Sequence, residues 1–125
     1  MKGIDLLIEI CTRDDLFDTQ SMWDEAVEDL KQHGEEGSRA LASLLNELLR
    51  CRANMIGPVI AAAKKVAPVP ELISALESIA SASPLAPALA GARFKPQIAG
   101  MGQIGWTDGT AARIREMASE AATKS

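Results

Sequence analysis

The 125-residue chain has the length of one domain with its own core, and 47% apolar against 24% charged residues argues against wholesale disorder. Two Phe, two Trp and no Tyr leave an aliphatic core of Leu, Ile, Ala and Val, a palette that favours helices over strands. Charge is polarised: residues 1–36 hold 11 Asp/Glu against 3 Lys/Arg and the remainder 6 against 10, so −8 and +4 give the overall −4. That imbalance bears on partners and encounter rates more than on fold.

Ile4, Leu7, Ile8 and Cys11 recur at helical spacing and predict a short first helix, although a strand over Ile4 to Ile10 satisfies the same pattern. Asp18 to Ser21 offers N-caps to a second helix, with Ser21 and Asp24 spaced like an acidic variant of the capping box. Its apolar stripe is Trp23, Ala26, Val27 and Leu30, which places Trp23 in the core. His33-Gly34 ends it, the imidazole sitting where a helix C-terminus favours a donor or a positive charge.

A third helix starts between Glu35 and Ser38 and buries Leu41, Leu44, Leu45 and Leu48, with acids early and Arg50 and Arg52 late. Asn54 is a cap for a fourth, whose face is Ile56, Val59, Ile60 and Ala63. Pro58 is early enough to be tolerated, and the helix must stop before Pro68. Pro70 suits the first turn of a fifth helix with Leu72, Ile73, Leu76 and Ile79 inward, and Ser83-Pro84 repeats that pattern for a short sixth. Periodicity fails over 93–109, a glycine-rich segment. Asp108 or Thr110 then caps a last helix through Ile114, Met117 and Ala121.

The expected fold is all-α: a single domain over 1–125, a compact bundle of six or seven short helices packed as antiparallel pairs. The helix pair from Met22 to Cys51 is echoed by the pair from Met55 to Ser81 at an offset near 33, measured from Trp23 to Ile56. The run Ala26-Val27-Glu28-Asp29-Leu30, the turn His33-Gly34-Glu35-Glu36-Gly37 and the following Ala40-Leu41-Ala42-Ser43-Leu44-Leu45 resemble a HEAT-type repeat across residues 20–82. That resemblance implies a helix ending in a short polar turn before a Leu-rich second helix. Two repeats fall below the three such arrays usually need, so a HEAT-like bundle is expected rather than a solenoid.

Catalytic and metal motifs are weak. Gly100, Gly102 and Gly105 match G-x-G-x-x-G, but Pro96 spoils a preceding strand and no βαβ unit surrounds them, so they read as a glycine loop. Asp14, Asp15 and Asp18 lack calcium-loop spacing. His33 is the sole histidine and Cys11 and Cys51 have no x-x-Cys partner, which leaves zinc without a ligand set and the two thiols as reduced core residues. The expectation is no cofactor and no metal, with catalysis disfavoured.

The first residues carry Asp5 and Glu9 where a secretory signal needs an apolar run, so the cytoplasm is the default. The longest uncharged run, Ser78 to Ala92, holds two prolines and falls short of the ~20 apolar residues of a membrane span. A pI near 5.0 and few stacking aromatics count against nucleic acid.

The acidic third remains. Asp24 and Glu28, and Glu25 and Asp29, crowd like charges at i,i+4, an arrangement that disfavours the helix by a few tenths of a kcal/mol per pair, roughly. The partner-binding set read from the sequence is Asp14, Asp15, Asp18, Asp24, Glu25, Glu28, Asp29 and Trp106, the last either buried or an exposed anchor in its glycine-rich setting. It implies a non-catalytic protein-binding module, most concretely an immunity or antitoxin-like inhibitor docking on a basic partner such as a toxin. The alternatives are self-association of the acidic and basic parts, and a small-molecule or cofactor-binding helical protein that uses 94–109 as a lid.

Overall fold

A computed structural model describes residues 1–12, 19–51, 56–82 and 108–124. The regular structure in these residues is helical: α1 (Lys2–Thr12), α2 (Thr19–Gln32), α3 (Glu35–Cys51), α4 (Gly57–Ala63), α5 (Pro70–Ala80) and α6 (Asp108–Lys124). The chain is an all-α bundle of packed helix pairs, as its composition implies. The short helix proposed at Ser83-Pro84 and the irregular segment up to 107 lie outside the described residues.

The first apolar run resolves as a helix because Ile4, Leu7, Ile10 and Cys11 fall on one side of it and are all buried. α2 begins at Thr19, so Ser21 and Asp24 lie inside the helix and do not form a capping box; Asp24 instead accepts a hydrogen bond from Gln20 Nε2 at 3.0 Å. Asp18 lies outside the described residues. α2 buries Ala26, Val27 and Leu30. Trp23, expected in the core, is half-buried at its edge and donates its indole N–H to the Pro58 carbonyl at 2.9 Å, since a ring with a polar end is satisfied best at a boundary.

The turn from α2 to α3 follows the αL pattern. Gly34 has φ +61, the His33 amide bonds back to the Asp29 and Leu30 carbonyls, and the Gly34 amide reaches the Lys31 carbonyl. Three residues on, a Cβ at Gly37 would overlap the Leu30 backbone carbonyl, so glycine there lets α3 lie directly against the end of α2. Ser38 is fully buried, and its hydroxyl donates to the Ala67 carbonyl at 2.5 Å, which gives the connection between α4 and α5 a hydrogen-bond partner inside the bundle.

α4 starts later and ends earlier than the pattern suggests. Its cap position is Ile56 and not Asn54, with no side-chain cap, and Pro58 sits in its first turn. After Ala63 the chain tightens through Lys64 and Lys65, whose amides bond three residues back to Ala61 and Ala62. Pro68 bars a helical residue before it, so Ala67 to Val69 are non-helical and Pro70 opens α5. α5 buries Leu72, Ala75, Leu76 and Ile79 while Ile73 is half-buried at the flank. α6 starts at Asp108 and lays Ala111, Ile114, Ala118 and Ala121 on α5 and α4, with Met117 beside them.

The broadest contacts are α1 on α2 and α5 on α6, with α3 on α5 next. The starts of α3 and α5 adjoin, since Arg39 pairs with Glu35 at 3.1 Å and approaches Glu71 at 3.7 Å, while the Trp23–Pro58 bond joins the starts of α2 and α4. α2 and α4 therefore begin at one level of the bundle, as do α3 and α5. α1 covers one side of this arrangement and α6 another. Core leucines such as Leu30, Leu41 and Leu76 are fully buried, each worth about 2 kcal/mol in area removed from water.

Candidate docking face

α1 lies antiparallel to α2, its N-terminus against the α2 C-terminal half. A Cβ at Gly3 would sit 2.7 Å from the Ala26 carbonyl oxygen and 2.9 Å from Leu30 Cγ, so glycine permits this approach. The contact leaves Gly3's amide, one of the donors that a helix start cannot satisfy internally, facing α2. Asp29 Oδ2 accepts it at 2.7 Å. A carboxylate at that place also meets the positive end of the α1 dipole.

The four α2 carboxylates singled out by the sequence therefore have three different situations. Asp29 turns inward, with 18% of its side chain exposed, and holds α1. Glu25 stays at the surface but pairs with Lys2, Nζ to Oε1 at 2.5 Å, across the α1–α2 junction. Lys2 is held above the ordinary lysine range first by that hydrogen bond, then by the charge of Glu25 and, more weakly, Asp29, against a small desolvation effect. Asp24 and Glu28 are exposed one turn apart, and the Glu28 carboxylate has no hydrogen bond or ion pair among the described residues. The crowding read from the sequence is relieved for Glu25 and Asp29, one by Lys2 and the other by the α1 terminus.

α1 adds acids that sequence reasoning left aside. Lys2, Asp5 and Glu9 are spaced i, i+3 and i+7, hence on one face, and all are exposed. At about 100° per residue this face is turned away from the Gly3 side on which α1 meets α2, so Asp5 and Glu9 place their charge on the far side of α1 and only Lys2, by its long stem, reaches an α2 carboxylate, Glu25. The spacing was visible in the sequence, but which way the face turns is decided by the packing of α1 on α2. Such a surface accepts ammonium and guanidinium groups.

Asp14, Asp15, Asp18 and Trp106 lie outside the described residues, as does the lid segment up to 107. His33 sits where the sequence places it: Nδ1 is 2.8 Å from the Asp29 carbonyl oxygen and 3.7 Å from Asp29 Oδ2, at the end of its own helix. Cys11 is a buried free thiol. Among the described residues no three His, Cys, Asp or Glu side chains converge on a common point, and no helix is long and apolar enough to cross a membrane. A shallow groove of about 390 Å³ between α5 and α6 is lined by Glu77, Ala80, Ser81, Ser119, Ala122 and Thr123. The Ser81 and Thr123 hydroxyls bond carbonyls of their own helices.

Comparison of the chain with protein-family models, with curated proteins and with solved structures gives no match.

Proposed function

We propose that the chain is a non-catalytic protein-binding module whose acidic α2 face docks on a basic protein, in the manner of an immunity or antitoxin-like inhibitor capping the cationic cleft of a toxin. One observation carries the reading: Asp24 and Glu28 stand exposed on the outer side of a helix whose inner side is held by Gly3, Gly37 and the Asp29 bond. Carboxylates on a firmly held helix meet a cationic surface without movement of the backbone, and complementary potential speeds encounter more than it deepens affinity. The scaffold in this proposal is a HEAT-like double pair. The paired starts of α2 with α4 and of α3 with α5 support that, because corresponding helices of successive repeats stack in parallel.

The test is capture from the source organism's lysate by wild type and by the triple variant D24K/E25K/E28K, with Asp29 left intact because it holds α1. The expected result is a basic protein retained in stoichiometric amount by wild type, released by salt and lost to the triple variant, with helicity unchanged in both. Equal retention by the two proteins would overturn the acidic face as the contact surface.

A further inference from the structure

We infer that Lys2 is an internal stand-in for the partner's cation, occupying Glu25 in the free protein and yielding it when a basic partner docks. This rests on the docking reading above and concerns the regulation of that same face.

Two bonds cross from the start of α1 to α2, and they differ in kind. The Gly3 amide held by Asp29 is a backbone donor against a mostly buried carboxylate, and no incoming group can replace it without parting the helices. The Lys2–Glu25 pair is a side-chain contact with 64% of one partner and 53% of the other exposed. A lysine ammonium on a flexible four-carbon stem swings into water without moving the helix that carries it. α1 itself is gripped elsewhere, by buried Ile4, Leu7, Ile10 and Cys11, so opening the pair leaves the bundle intact.

Glu25 lies beside the exposed Asp24 and Glu28 on the outer side of α2, and its occupant in the free protein has the chemistry a basic partner would bring. Docking at Glu25 is thus an exchange of one ammonium for another cation, and the pair's own strength is subtracted from the partner's affinity. The exchange favours guanidinium, which meets a carboxylate with two parallel N–H donors where lysine offers a point charge. Lys2 then screens out single weak cations while Glu28, and Asp24 beside its Gln20 bond, stay exposed to start the encounter.

The experiment is a double-mutant cycle on binding of a nona-arginine peptide at low salt, using wild type, K2Q, E25Q and K2Q/E25Q, with helicity and thermal midpoint recorded for each. Exposed pairs are weak, so K2Q is expected to tighten binding by about two- to fivefold over wild type. In the E25Q background the same substitution should lose most of that gain. An equal gain in both backgrounds means that Lys2 acts through net charge alone, which overturns the inference and leaves the docking reading standing. Peptide binding that is absent in wild type, or untouched by D24K/E25K/E28K, overturns the docking reading and this inference with it. A lower thermal midpoint for K2Q with unchanged peptide binding would assign Lys2 a purely structural role and likewise overturn it.

Discussion

Removing the Asp29 carboxylate tests whether one acid of the α2 row serves the fold rather than the surface. In D29A the Gly3 amide loses its acceptor at 2.7 Å in a contact too tight for a side chain at Gly3. The loss is that of a capping acceptor removed to alanine, about 1 kcal/mol, joined by about 0.5–1 kcal/mol for the negative charge at the start of α1. The expected destabilisation is therefore about 2 kcal/mol, or a fall of roughly 8 °C in midpoint for a domain of this size. D29N keeps an acceptor oxygen and should cost about half as much. D24A, by comparison, changes an exposed residue hydrogen-bonded to Gln20 and should stay within about 0.5 kcal/mol of wild type. Urea unfolding followed by far-ultraviolet circular dichroism measures all three, with an unchanged slope marking a change in stability alone. Hydrogen exchange at the Gly3 amide localises the effect. If D29A and D24A unfold at the same urea concentration, Asp29 does not cap α1 and the division of the acidic row into a structural and an exposed part is wrong.

Two further outcomes are expected. G37A should cost about 1–3 kcal/mol, because the added methyl meets the Leu30 backbone carbonyl and a backbone group cannot swing aside; G34A, strained by φ +61 but with open space around it, should cost about 1 kcal/mol. Urea titrations in which G37A is no less stable than wild type would refute the close approach of α3 to α2. The second outcome concerns alkaline pH. Lys2 is held above its ordinary range by Glu25, so the pair's contribution is fully present below the unfolded lysine value and is lost as pH rises through the higher folded one. Wild type should therefore lose stability relative to K2Q across that alkaline window, and parallel stability curves for the two would remove the Lys2–Glu25 pair from the account.

The helices and their inward faces were legible because they depend on local periodicity: Leu41, Leu44, Leu45 and Leu48 repeat at helical spacing and all four are fully buried. Helix starts were less so. Ile56 holds the α4 cap position with no side-chain bond, and Ser21 and Asp24 have capping spacing inside a helix that begins earlier, since good cap residues are cheap to place where no cap forms. The separation of Asp29 from Glu25 could not be read from residues 24–29 at all, because it depends on Gly3, 26 positions away in sequence. Ser38 and Trp23 are similar cases: each polar group is satisfied by a carbonyl far along the chain, Ala67 for one and Pro58 for the other. What the sequence states about the acidic surface is its charge; which carboxylates face outward is decided by packing.

The glycine contacts on either side of α2 have a consequence for how this face can change over time. Gly3 and Gly37 hold the helix through its backbone, at Ala26 and Leu30, while Asp24 and Glu28 on the outer side take no part in that grip. Substitutions at these two positions can accumulate without a compensating change inside, so the surface charge of α2 is free to be retuned while its foldability is inherited unaltered. In fourteen residues α2 thus keeps an inner side that serves the fold and an outer side on which, of Asp24, Glu25 and Glu28, only Glu25 ties back to α1.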